Sequence, residues 1–240
     1  MTTLASRLQA IRSHRAVNNP FYDAWTSKRF TGEQLRVFAA NYGSWVRSFP
    51  DSLAALVQAT SDIEAKVEYS KTLHSELGYG NPTKAHSVLL DAFLIALAKR
   101  LGVEDDVRQA LAGSGALPST QALIDGELRL YGHADRRLAV GAQLALEWQA
   151  YTMLRKLYEG ARNYAQLWQD EDEFHEDCEY FYAHIGAAEK DHKVESLRGA
   201  EKYMSREGDL DHVLAGYDEH LTLIADLWFG IADKAGVYRH

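Results

Sequence analysis

Apolar residues recur at three- and four-residue spacing along almost the whole chain, and strand-like alternation is missing. This pattern predicts an all-α protein. A first helix is expected over 4–17, ending near Asn18-Asn19-Pro20, and a short one over 21–27. Thr31 and Gln34 form a capping box that opens a helix to about Ser48. Asp51, after Pro50, caps another to about Thr60, and Ser61 opens one that stops at Gly78-Tyr79-Gly80. Thr83, after Pro82, caps a helix that Gly102 ends. The stretch 103–120, with its GSGALPST, reads as the loosest region. Helices then follow over about 120–131, 135–168, 173–206 and 209–235, where no proline interrupts them. The expectation is a bundle of about seven core helices. With no linker and no internal repeat, residues 1–240 are expected to form one domain.

Composition supports a packed core, with 46% apolar and 11% aromatic residues in 240. A net charge of −8 without a Lys/Arg stripe argues against a nucleic-acid partner. The single Cys178 excludes an internal disulfide and fits a reducing, cytoplasmic setting, as does an N-terminus without an apolar signal-peptide core. No apolar run is long enough to span a membrane.

The polar residues that stand out lie on apolar helices. In YFYAHIGAAEKDH, His184, Glu189, Asp191 and His192 fall within nine residues. Glu189 and His192 share a helical face, whereas His184 aligns with Asp191; a one-residue π-bulge would gather His184, Glu189 and His192. Upstream, Glu76 ends one helix and His86 begins the next, with Gly78, Gly80 and Pro82 able to fold them together. Glu147 sits among Leu144, Ala150 and Tyr151, where a carboxylate is costly to bury unless paired or metal-bound. Imidazoles and carboxylates converging from separate helices suit non-heme iron or manganese. Tyr42, Trp45 and Trp148 are candidate walls of an aromatic pocket, and Arg47, in an apolar setting, is a candidate for holding a substrate carboxylate. Each of these groups also has a plainer structural reading, as core or surface.

At these motifs the chain resembles the heme-oxygenase-like diiron oxidases, which share a fold with the TenA thiaminases and the pyrroloquinoline-quinone biosynthesis oxidase. FTGEQLRVFAANYGSWVRSFPDSLAAL is similar to the family's opening helices, SELGYGNPTKAH to its Glu–His ligand pair, the LEW segment to its central Glu, and YFYAHIGAAEKDH to its final His–acid–His helix. The last motif departs from the usual H-x3-D-x2-H: here it is His184-x4-Glu189-x2-His192, which leaves Glu189 or Asp191 as the acidic ligand. The resemblance implies a ligand set of Glu76, His86, Glu147, His184, Glu189 and His192, binding two Fe(II) ions with O2 as co-substrate.

It also implies an O2-dependent oxidase acting on a small amino-acid-derived molecule by N-oxygenation, C–C cleavage or nitrile formation, with an aromatic amino acid from a natural-product pathway one option. An external electron donor and a homodimer fit the same resemblance. The alternatives are a fatty-acid oxidative decarboxylase, a metal-free TenA-like hydrolase with Cys178 as nucleophile, a heme oxygenase with His14 as axial ligand, and a partner-binding helical module. The acids around Cys178 would disfavour its thiolate.

Overall fold

The computed structural model describes residues 3–113, 115–185 and 196–238, and among them the chain is helical with no strand. The helices are α1 (Leu4–Ala10), α2 (Pro20–Ser27), α3 (Gly32–Ala59), α4 (Ile63–Glu76), α5 (His86–Leu101), α6 (Glu104–Leu111), α7 (Pro118–Tyr131), α8 (Arg136–Ala161), α9 (Glu171–Asp177) and α10 (Glu179–Ile185). Residues 196–201 are helical (α11), and α12 spans Asp209–Lys234. Short 3-10 turns at Ile11–Ser13, Gly78–Gly80, Pro82–Lys84 and Arg162–Leu167 join several of them.

Helices α8 and α12 pack along each other, with α3 and α7 against them and α4, α5 and α6 along α3. The crossing of α8 and α12 is closed by two glycines. A β-carbon on Gly141 would lie 2.0 Å from the Val213 carbonyl oxygen, and one on Gly216 would lie 2.1 Å from that of Leu138. Side chains there would force the helices apart. Where α2 packs against α8 and α12, Trp228, Phe21, Trp25 and Phe38 form a buried aromatic cluster, with the Phe21 and Trp228 ring centres 4.8 Å apart. Trp25 satisfies its indole N–H on the Leu157 carbonyl at 2.8 Å.

Several boundaries differ from expectation. The first helix stops at Ala10 and a 3-10 turn follows at Ile11–Ser13. Asp62, not Ser61, caps α4 through the Ala65 N–H. Thr83 lies in the Pro82–Lys84 turn, and α5 begins at His86 without a side-chain cap. Pro50 lies inside α3 and does not end it. The helix loses one backbone donor there, but Leu53 and Leu56 beyond the proline are buried against Tyr131 and Ala139, and this burial holds the second half in line. Residues 104–111 form a helix instead of a loop. Glu104, Asp105 and Asp106 complement its N-terminal dipole, and Val107, Ala110 and Leu111 are buried. The expected long helices 135–168 and 173–206 are each divided. α8 gives way at Arg162 to a 3-10 turn, Asp170 caps α9 through the Glu173 N–H at 2.9 Å, and α9 stops at Cys178. The caps at Thr31 and Gly102 stand as the pattern predicts, Gly102 in the left-handed region with φ 71°.

Candidate metal centre

Glu76 is the last residue of α4 and His86 the first of α5. The turn between them reverses the chain through Gly78, Tyr79 and Gly80, all with positive φ. Gly78 is required in a further sense: a β-carbon there would lie 2.5 Å from the Lys84 carbonyl carbon and 2.6 Å from the Ala85 nitrogen. The reversal places His86 Nδ1 2.9 Å from Glu76 Oε2. This contact lacks hydrogen-bond alignment, so among the described residues Nδ1 of His86 is a buried nitrogen without a hydrogen-bond partner.

His184 approaches from α10. Its Nδ1–H donates to the Tyr180 carbonyl, one helical turn earlier, at 2.7 Å. That bond fixes the tautomer and leaves Nε2 facing Glu76 Oε1 at 3.8 Å. The His86 and His184 rings are 4.2 Å apart between centres. One ligand atom each from Glu76, His86 and His184 fit within 4.8 Å of one another. Burial would raise the Glu76 carboxyl, but contacts with His184 and His86 outweigh it and hold the group down at about 2. The residue therefore stays an anion in a nearly dry site.

Glu147, on α8, lines the same pocket of about 80 Å³. It is buried and accepts a hydrogen bond from Gln143 Nε2 at 2.7 Å. Two imidazoles and two carboxylates thus face one small space from α4, α5, α8 and α10. Hard oxygen and borderline nitrogen donors of this kind fit iron without a thiolate. Glu189, Asp191 and His192 lie outside the described residues, as does the π-bulge expected before Glu189.

Tyr42 and Trp45 of α3 line the pocket. The Tyr42 and Tyr180 hydroxyls share a hydrogen bond of 2.6 Å, and Trp45 donates its indole N–H to Glu127 at 2.8 Å. Burial pushes both phenols well above their ordinary value, so both stay neutral. Arg47 and Trp148 are not brought to this pocket. Arg47 is two residues beyond Trp45, roughly 200° around the helix, where it pairs with Asp91 at 3.0 Å and donates to the Leu111 carbonyl at 2.7 Å. Trp148 is one residue from Glu147 and so about 100° away, against the hydrophobic core. The sequence reading passed over Gln143 and Tyr180, although each lies four residues before a singled-out residue on the same helical face.

Cys178 is fully buried, and burial together with the neighbouring Asp177 pushes its thiol up to about 12. A nucleophilic role is therefore closed to it near neutral pH. His14 accepts the Ala16 N–H on Nδ1 at 3.1 Å, in the turn after α1. Among the described residues no helix is long and apolar enough to cross a membrane.

Comparison with known proteins identifies the family and the fold. Residues 36–224 match a family described as iron-containing redox enzymes. The chain is 27% identical over 234 residues to a 4-chloro-allylglycine synthase of Streptantibioticus cattleyicolor, covering 98% of this chain and 84% of that protein. It is 33% identical over 123 residues to a 4-aminobenzoate synthase of Nitrosomonas europaea, covering 48% of this chain and 46% of that protein. Among solved structures it superposes on a CADD-like protein of unknown function from Nostoc punctiforme with a TM-score of 0.73 at 18% identity, covering 97% and 96% of the two chains. It also superposes on a Shewanella denitrificans domain of unknown function with a heme oxygenase-like fold, with a TM-score of 0.64 at 14% identity, covering 95% and 88%. Sequence and fold together place the chain in the family of iron-containing redox enzymes, on a heme-oxygenase-like helical scaffold.

Proposed function

We propose that the protein is a non-heme diiron oxidase that uses O2 to oxidise a small amino-acid-derived substrate. The observation that carries this reading is the convergence of Glu76, His86, His184 and Glu147 on one buried pocket in a chain of the iron-containing redox family. In this reading those four residues, with His192 and either Glu189 or Asp191, hold two Fe(II) ions, and residues 1–240 act as one domain. Bound iron supplies the electrons for O2 reduction and a Lewis acid beside the substrate.

The remaining roles belong to the chain. The Tyr180 carbonyl keeps the His184 proton on Nδ1, and Gln143 orients the Glu147 carboxylate. Trp45, Phe49, Leu146 and Met153 wall the pocket with apolar surface and exclude water. The Tyr42–Tyr180 hydroxyl pair holds a proton at the pocket edge, available to a substrate without an ionised phenol. The relative named 4-chloro-allylglycine synthase supports an amino-acid-derived substrate over a fatty acid. A homodimer and an external electron donor belong to the same reading.

The test is O2 consumption by the Fe(II)-loaded protein against a panel of free amino acids, with products followed by mass spectrometry. Amino-acid-dependent O2 uptake that ceases in Glu147→Ala is expected. O2 uptake indifferent to every amino acid but stimulated by fatty acids would move the decarboxylase reading to the front.

A further inference from the structure

A second cavity, of about 320 Å³, adjoins the metal-side pocket, and Thr72 and Glu147 line both. Its walls come from α4, α8 and α11, and its rim carries Lys202, which is engaged by Glu64 at 2.7 Å and Asp62 at 3.1 Å.

Two buried acceptor atoms and one exposed guanidinium lining this cavity have no protein partner among the described residues. Gln143 is 3% exposed and spends its Nε2 on Glu147, leaving its buried Oε1 without a hydrogen-bond partner. Glu68 gives Oε1 to Lys71 at 2.7 Å and leaves its buried Oε2 without one. The exposed Arg198 guanidinium lines the cavity and has no ion-pair partner. Buried acceptors without donors are unfavourable, so such groups mark where a donor is meant to arrive.

Two vacant acceptors, one anionic, match an ammonium group, and the guanidinium matches a carboxylate. A free α-amino acid carries both on one carbon. The adjoining pocket, walled by Trp45, Phe49, Leu146, Met153 and Leu154, suits the remainder of such a molecule.

We infer that the larger cavity binds the zwitterionic head of a free α-amino acid. Glu68 and Gln143 Oε1 receive the ammonium, and Arg198 receives the carboxylate. The side chain passes Thr72 and Glu147 into the pocket of Glu76, His86 and His184. The inference rests on the iron-oxidase reading above and narrows its substrate: the side chain, not the α-carbon, faces the metal ligands.

The test is anaerobic calorimetric titration of the Fe(II)-loaded full chain with the twenty proteinogenic L-amino acids and L-norleucine. Hexanoate and pentylamine, which each lack one head group, serve as controls, and iron is quantified in every sample. The expected result is binding of at least one amino acid, weakened about tenfold or more in Arg198→Ala and in Glu68→Gln, the loss of one charge-assisted contact. Hexanoate and pentylamine should bind more weakly than that amino acid, and both variants should retain wild-type iron content. Binding by no amino acid, equal binding to wild type and both variants, or hexanoate binding as tightly as the best amino acid would overturn the head-group site. Binding that depends on Arg198 and Glu68 in a chain that retains no iron would uphold this site and overturn the iron reading.

Discussion

The Gly78→Ala substitution tests whether the turn between α4 and α5 builds the metal centre. Gly78 has φ 72°, and an added methyl would meet the Lys84 carbonyl carbon at 2.5 Å, the Ala85 nitrogen at 2.6 Å and the Lys84 carbonyl oxygen at 2.8 Å. These are backbone atoms, which cannot swing aside as a side chain could. The left-handed conformation costs alanine about 1 kcal/mol and the overlap about 1–3 kcal/mol more, a total of about 2–4 kcal/mol. Gly80, at φ 85°, has only His74 Nε2 nearby at 3.8 Å, so Gly80→Ala carries the conformational cost of about 1 kcal/mol alone.

The energy can emerge in two places. If the turn stays closed, Tm falls by about 4–16 °C at roughly 2–4 °C per kcal/mol. If the turn opens, Glu76 and His86 separate and iron affinity weakens by up to about 30- to 1000-fold. Thermal melts and Fe(II) titration of both variants read the two outlets together. Gly78→Ala matching wild type in both measurements, or Gly80→Ala being the more damaging, would refute the reasoning.

Three further outcomes are expected. Cys178, buried with its thiol pushed up to about 12, should resist iodoacetamide in the native protein at pH 8 and label fully in guanidinium; rapid native labelling would contradict its burial. Glu127 and His220 are both fully buried, with His220 Nε2 3.3 Å from Glu127 Oε1. His220→Ala should cost about 3–5 kcal/mol in urea unfolding, and the Glu127→Leu/His220→Leu pair should cost less than the two single changes summed; a His220→Ala loss under about 0.5 kcal/mol would count against a paired core. Hydrogen bonds from Arg137 hold the Asp135 and Asp209 carboxyls below their usual range. Depressed carboxylates contribute stability above the unfolded value of about 4 and lose it as pH falls through the lower folded values. Arg137→Ala should therefore flatten the fall of Tm below about pH 4, and an unchanged acid branch would contradict that linkage.

The parts of the site legible in the sequence are those with local signals. Glycines at 78 and 80 between two helix ends announced the Glu76–His86 reversal, and the apolar neighbours of Glu147 announced its burial. Helical period also told against Arg47 and Trp148, which lie around the helix from Trp45 and Glu147, yet their polar or aromatic chemistry suggested the pocket; the partner of Arg47, Asp91, is 44 residues away and left no local trace. Pro50 misled because tertiary burial of Leu53 and Leu56 outweighs a local breaker, and the GSGALPST after α6 drew 104–111 into a loop expectation that the acids of its first turn and the burial of Val107 and Leu111 overturn. The cavity joining Glu68, Gln143 and Arg198 exists only once α4, α8 and α11 are assembled, so no periodicity reports it.

The most direct test of the central claim is anaerobic Fe(II) titration of the metal-free chain with iron counted per protein. The account predicts close to two irons per chain for the wild type and a clear loss in Glu76→Ala and His86→Ala, with both variants still folded by circular dichroism. A wild type that takes up no iron, or variants that take up as much as the wild type, would contradict it.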